Sequence, residues 1–240
     1  MTAISAGAII AAGKGSRLKG LGVPKPMVEV AGVPLIQHVL RNFEAAGIAS
    51  AAIIFNAKEE GCAAFVRERF GTLVPRVIVK NTRSSLASFR EVLSAAPPGR
   101  LLVSTVDAFC PREDFLRFVR QAAKAPSDAT VLAVTGFVDD EKPLWVSTTR
   151  KGRVTSVGGA SGDAVTVGIY VIPERVRRMR IPESLERLRD FLAWLCKSGE
   201  TMQAIEIPKV VDVDRPEDVE IAEELARGGV AASAGAGEPR

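Results

Sequence analysis

The residues best suited to chemistry lie near the start of the chain, in Gly13-Lys14-Gly15-Ser16-Arg17-Leu18, followed by Pro24-Lys25-Pro26-Met27. Glycine lets a backbone approach a polyphosphate closely enough for its N–H groups to act as anion donors. Arg17 then offers a planar fork of donors and Lys25 a point charge, two different ways of holding phosphate oxygens. The pattern is not a Walker A loop, because no Gly-Lys-Ser/Thr closes it before a helix. Nor is it the dinucleotide fingerprint, because Leu18 stands where a third glycine belongs. His38, the one histidine, falls in the middle of a helical stretch, and Cys110 has no base beside it. The chemistry suggested is transfer of a phosphate-bearing group by positioning and charge.

The elements that position this loop follow from hydrophobic periodicity. Ala6 to Ala11 is a continuous apolar run, the mark of a strand buried on both faces of a parallel sheet, so the glycine loop leaves a strand at its carboxyl end. That is where open α/β sheets bind ligands. Strands are expected again at 51–55, 77–80, 101–106 and 129–135, and helices at 35–46, 59–70, 85–95 and 115–124. Residues 145–171 change to short β-branched pieces separated by glycine, which read as antiparallel strands. An amphipathic helix at 185–197, an edge strand at 204–207 and a last helix at 216–226 complete the order, with Asp214 as a helix cap. The expected fold is α/β: a Rossmann-like, mostly parallel sheet with helices on both faces and a small mixed β extension. Residues 1–227 form one domain on this reading, and the small, apolar-poor tail 228–240 is disordered.

Composition narrows the classes. The 240 residues are 47% hydrophobic and 25% charged, so a wholly disordered chain is excluded. Aromatics make up only 5%, too few for a platform on which single-stranded nucleic acid stacks. A formal charge of +4 suits a small anionic substrate without demanding a polynucleotide. Three scattered cysteines fit a reducing compartment better than a disulfide framework. No apolar stretch approaches the length of a spanning helix, and no signal segment is recognisable, so a cytoplasmic protein without a membrane or nucleic-acid partner is expected.

GAIIAAGKGSRL followed by PKPMVEVAGVPLI resembles the nucleotidyltransferase family of sugar-1-phosphate nucleotidylyltransferases (NDP-sugar pyrophosphorylases) and their MobA-like cousins. The resemblance implies attack of an acceptor phosphate on the α-phosphate of an NTP, with release of pyrophosphate. It places Ala11, Ala12 and Gly13 against base and ribose, Lys14 beside the same loop, and Gly15, Ser16 and Arg17 on the β- and γ-phosphates. Lys25 falls near the α-phosphate. The family holds Mg²⁺ with two acids distant in sequence. LLVSTVDAFC supplies Asp107, and VVDVDRPEDVEIAEEL supplies Asp212, with Asp214 two residues on and able to share its face. Asp212 fits the family position best, and a capping role is assigned to Asp214.

The acceptor side matches less closely. Thr166-Val167-Gly168-Ile169-Tyr170 is similar to the family's Asn-Ala-Gly-Ile-Tyr, which implies that Thr166 and Gly168 lie beside the acceptor. Glu141-Lys142-Pro143 is like the family's Glu-Lys-Pro but falls too early in the chain, so it is set aside. Ser85 sits where the family reads the base, and it reads equally well as part of a serine-capped helix start. The arginines between 175 and 189 read as a solvated helix face. The resulting expectation is a Mg²⁺-dependent transferase joining an NTP to a sugar-1-phosphate or polyol phosphate. A molybdopterin nucleotidylyltransferase and a nucleotide-binding regulator without turnover are the alternatives. The base, the acceptor and the oligomeric state stay open.

Overall fold

A computed structural model describes residues 4–13 and 15–234. The first half alternates strand and helix: β1 (Ala6–Ala11), two short 3₁₀ turns, the small strands β2 (Glu29–Val30) and β3 (Val33–Pro34), α1 (Leu35–Ala45), β4 (Ser50–Phe55), α2 (Glu60–Phe70), β5 (Arg76–Val79), α3 (Ser85–Ala95) and β6 (Leu101–Thr105). Then come β7 (Ala108–Phe109), α4 (Arg112–Ala122), β8 (Thr130–Thr135), β9 (Trp145–Thr148), β10 (Val154–Val157) and β11 (Ala164–Ile172). The chain continues through α5 (Glu174–Arg177), α6 (Leu188–Lys197), β12 (Met202–Glu206), β13 (Val211–Asp212) and α7 (Pro216–Ala234). Among the described residues no helix is long and apolar enough to cross a membrane.

The main sheet has nine strands. β6, β1, β4 and β5 run parallel in that order, and the long β11 joins them antiparallel to β6. β11 also pairs with β8 and β9, and β12 closes the far edge parallel to β8. This is the α/β sheet with a mixed extension that the sequence pattern implies. Successive residues of β1 point to opposite faces, so two cores form. Ala6, Ala8 and Ile10 pack under α3 and α6, whereas Ile9 and Ala11 pack under α1, α2, α4 and α7.

Some boundaries differ from the sequence expectation. Pro111 precedes α4 in extended backbone, so that helix opens at Arg112. α6 starts only at Leu188. α7 continues to Ala234, beyond the expected end at 226 and across the glycines at 228 and 229, so residues 228–234 of the expected tail are helical. Residues 235–240 of the expected tail lie outside the described residues.

Gly7 fixes the distance between β1 and α1. A Cβ there would lie 2.6 Å from the ring of Phe43, which is fully buried and packs against Phe115 at 5.8 Å. Gly7→Ala is therefore expected to cost about 1–3 kcal/mol, the usual penalty for overpacking. Urea unfolding measures it; an unchanged midpoint would show that α1 shifts freely.

Candidate active site

The glycine loop is folded by contact with Lys25. Gly15 has a positive φ of 51°, and a Cβ on it would lie 2.9 Å from the Lys25 Cβ. Only glycine meets both demands at low cost. Leu18 donates its N–H to the Gly15 carbonyl at 3.1 Å and buries its side chain, which turns the loop back over the sheet. Pro24 gives the extended entry to the second 3₁₀ turn, which carries Lys25 inward until 6% of it is exposed.

A second structure brings in the acids. Asp107 follows β6 at the carboxyl edge of the sheet, and its carbonyl accepts from Phe109 at 2.8 Å and Val213 at 3.0 Å. β7 pairs antiparallel with β13, with Ala108 opposite Asp212 and Phe109 opposite Val211. This two-stranded ribbon draws the end of the chain onto the turn after β6. Asp107, Asp212 and Asp214 then each offer an oxygen within 4.8 Å of the others. Lys25 Nζ donates to Asp107 Oδ2 at 2.5 Å and to Asp214 Oδ1, 189 residues away in sequence. Arg17 donates to the other oxygen of Asp214 at 2.7 Å.

The electrostatics follow from this crowding. Burial pulls the Lys25 ammonium toward losing its proton, but Asp107, Asp212 and Asp214 outweigh it and hold the pKa above the ordinary lysine value. Burial likewise works against the Asp107 charge, and the Lys25 ammonium overcomes it, holding that carboxyl below the usual range. Asp212 goes the other way: desolvation by its packed surroundings and the neighbouring Asp107 charge raise it well above the ordinary aspartate value. No hydrogen-bond donor among the described residues reaches the Asp212 carboxylate, although it opens to the cleft. Three hard oxygen ligands around an uncompensated charge suit a divalent cation such as Mg²⁺ or Ca²⁺.

Beside this cluster lies a cleft of about 360 Å³. Of the residues singled out in the sequence, Arg17, Ser85, Asp107, Thr166, Gly168 and Asp212 line it. Ala11, Ala12, Gly13, Gly15 and Ser16 lie on the loop next to it but do not form its wall. Lys14 lies outside the described residues. Ser85 accepts the Leu188 N–H at 3.0 Å, tying the start of α6 to α3, while Ser84 caps α3 through the Ala87 N–H at 3.2 Å. Gly168 marks a register shift in β11, where φ is 75° and a Cβ would fall 2.3 Å from the Thr105 hydroxyl.

Several site residues are not the ones the sequence favoured. Asp214 does not cap α7. Asp218 does, its Oδ2 accepting from the amides of Asp214 at 2.9 Å and Arg215 at 2.7 Å, which frees Asp214 for Lys25 and Arg17. Glu141 and Pro143, set aside on their order in the chain, line the cleft. So do Arg187 and Arg189, whereas Arg175 and Arg178 pair with Glu200 and Glu174 as surface residues do. Arg215 and Arg189 donate to the carbonyls of Asp139 and Lys142, at 3.1 and 2.7 Å, pinning the strap between β8 and β9. The capping pattern signalled Asp218 as readily as Asp214. The strap carried one local signal, the Glu141-Lys142-Pro143 likeness, but its order in the chain argued against it, since its place depends on contacts across the cleft.

Residues 7–166 match the MobA-like NTP transferase domain. The chain belongs to that family. Over 92% of its length it is 28% identical to a bifunctional IPC transferase and DIPP synthase of Rubrobacter xylanophilus. A 36% stretch is 30% identical to part of the bifunctional protein GlmU of Bartonella quintana. The chain spans 52% of the length of the first of these relatives and 18% of the second. The fold is shared with the inositol-1-phosphate CTP transferase of T. maritima, at 18% identity and a TM-score of 0.79 over 95% of this chain and 98% of that one. It is shared too with a UDP-glucose pyrophosphorylase complexed with UDP-glucose, at 16% identity and a TM-score of 0.73 over 94% of this chain and 99% of that one.

In this MobA-like domain the Lys25 ammonium is, among the described residues, the cation that pairs with both Asp107 and Asp214. Lys25→Met is expected to destabilise the fold by about 3 kcal/mol, the lower end for breaking a buried ion pair, because Asp107 and Asp214 keep partial access to water. Chemical unfolding checks this; a loss under about 1 kcal/mol would show that the carboxylates do not depend on Lys25.

Proposed function

We propose that this chain is a magnesium-dependent nucleotidylyltransferase that joins an NTP to a phosphorylated polyol or sugar and releases pyrophosphate. CTP and inositol 1-phosphate are the leading pair. The observation that carries the reading is the meeting of Lys25, Arg17 and three carboxylates at the carboxyl edge of the sheet, beside an open cleft. The substrate pair is that of the inositol-1-phosphate CTP transferase sharing this fold, and the phosphate-transfer reading is supported by the match to the bifunctional IPC transferase over nearly the whole of this chain.

In the reaction an oxygen of the acceptor phosphate forms a bond to the α-phosphorus. The bond from that phosphorus to the α–β bridging oxygen breaks, and pyrophosphate leaves with the electron pair. Phosphoryl chemistry of this kind asks little of covalent catalysis and much of positioning and charge. The backbone of Ala11, Ala12, Gly13, Gly15 and Ser16 would meet base, ribose and phosphates, with its N–H groups as donors. Arg17, with 53% of its side chain exposed, can leave Asp214 and fork onto the β- and γ-phosphates. Lys25 stays charged at neutral pH and donates toward the α-phosphate. Asp107 and Asp212 would hold the Mg²⁺, with Asp214 close enough to share it. When bound, that ion neutralises charge on the phosphates and favours in-line geometry. Arg187 and Arg189 face the acceptor phosphate from across the cleft. Thr166 and the backbone at Gly168 lie beside the polyol.

Pyrophosphate release, measured with four NTPs against a panel of polyol and sugar phosphates, is expected to peak for CTP with inositol 1-phosphate. Arg17→Ala is expected to lower turnover by about 10²–10³, the loss typical of one donor to a developing oxyanion, with the melting temperature unchanged. Silence across the panel despite tight nucleotide binding would overturn the enzymatic reading. Full turnover in Arg17→Ala would overturn that residue's role.

A further inference from the structure

The carboxylate cluster is held from behind by one face of α1. His38 and Asn42 are four residues apart on that helix, so they lie one above the other. Asn42, buried at 7% exposure, donates its Nδ2 to the Cys110 carbonyl at 3.0 Å. His38 sets its ring edge-on to Phe109, with centroids 5.0 Å apart and planes at 85°. Its Nε2 lies 2.9 Å from the Val30 carbonyl, which can only accept, so the histidine donates there and holds the β2–β3 hairpin on its other side. Phe109 and Cys110 are the residues that follow Asp107 and Ala108. Through β7 they set the pairing that brings in Asp212.

We infer that His38 and Asn42 are positioning residues for the cation site: from α1 they grip the 108–110 segment and thereby fix where Asp107 and Asp212 present their oxygens. The inference rests on the nucleotidylyltransferase reading of that site. Neither side chain lines the cleft, so both act through the backbone of the ribbon. The geometry explains why a buried asparagine and a half-buried histidine persist on a helix face that otherwise packs Leu35, Val39 and Phe43. A leucine at 42 would leave the Cys110 carbonyl without its donor, and outer supports of this kind commonly change metal affinity by about 10- to 100-fold.

His38 is neutral in this setting. Burial holds its imidazole below the ordinary histidine value, and Arg41 on α1 and Arg112 on α4 add to that push. The Val30 carbonyl opposes burial more than either arginine aids it, and the Val33 carbonyl opposes it less. A proton on Nε2 is what the contact with the Val30 carbonyl requires.

Two substitutions separate those contacts. His38→Gln keeps a donor for Val30 and loses the ring on Phe109. His38→Phe keeps the ring and loses the donor. These variants, Asn42→Leu and wild type are titrated with Mn²⁺, and free ion is read by electron paramagnetic resonance. Leu93→Ala, a core substitution under α3 in the other hydrophobic core, controls for lost stability. Asn42→Leu and His38→Gln are expected to weaken Mn²⁺ binding about tenfold, His38→Phe less than His38→Gln, and Leu93→Ala not at all at an equal fall in melting temperature. Wild-type binding with unchanged affinity in both Asn42→Leu and His38→Gln overturns the positioning role alone, and so does an equal weakening in Leu93→Ala. A wild type that binds no Mn²⁺ overturns both this inference and the cation site beneath it.

Discussion

Everything at this site depends on one ammonium group. Three carboxylates cannot gather within a few ångströms at the edge of a protein without a counter-charge, since each repels the others in a medium far less polarisable than water. Lys25 supplies that charge, and its burial makes the interaction stronger and the geometry tighter. It also sets a demand on the glycine loop, because Gly15 must lie against the lysine stem where no side chain fits. The glycine loop and the acid cluster are therefore parts of one construction.

The topology explains how a chain arranges this. Parallel strands all point their carboxyl ends to one edge, so the loop after β1 and the turn after β6 become neighbours because their strands pair directly. The third contribution comes from residues near the other terminus, and regular sheet pairing does not deliver it. The two-residue ribbon of β7 and β13 does, with the Asp107 carbonyl accepting from Val213. Asp218 finishes the arrangement by capping α7, which leaves Asp214 its charge for Lys25 and Arg17. A cation entering here meets an Asp212 carboxylate that no donor among the described residues reaches, and acids already aligned by a lysine.

Much of this was legible in the sequence, for physical reasons. Buried parallel strands read as unbroken apolar runs, which is why Ala6–Ala11 coincides with its expected bounds, and the helix Ser85–Ala95 does so behind its Ser84 cap. The glycine loop was legible because close backbone approach leaves few residue choices. Asp107 and Asp212 were singled out through the family resemblance, at places after a strand and before the last helix, and the fold brings them together. What was missed depends on contacts between distant segments. Asp214 and Asp218 stand equally well for a cap in sequence, and only the folded position of Lys25 decides between them. Arg187, Arg189 and the strap at Glu141 meet across a cleft whose walls come from separate elements, with no spacing to reveal it. Asn42 and His38 looked like ordinary helix residues because their partners are a backbone carbonyl and a ring from a strand far along the chain.

The most direct test of the central claim is calorimetric binding of a non-hydrolysable CTP analogue, with and without Mg²⁺, to the wild type and to Asp212→Asn. If carboxylates from the middle of the chain and from near its C-terminal end clasp an ion on the triphosphate, Mg²⁺ tightens binding to the wild type and does little for the variant. Equal tightening by Mg²⁺ in both proteins would contradict it.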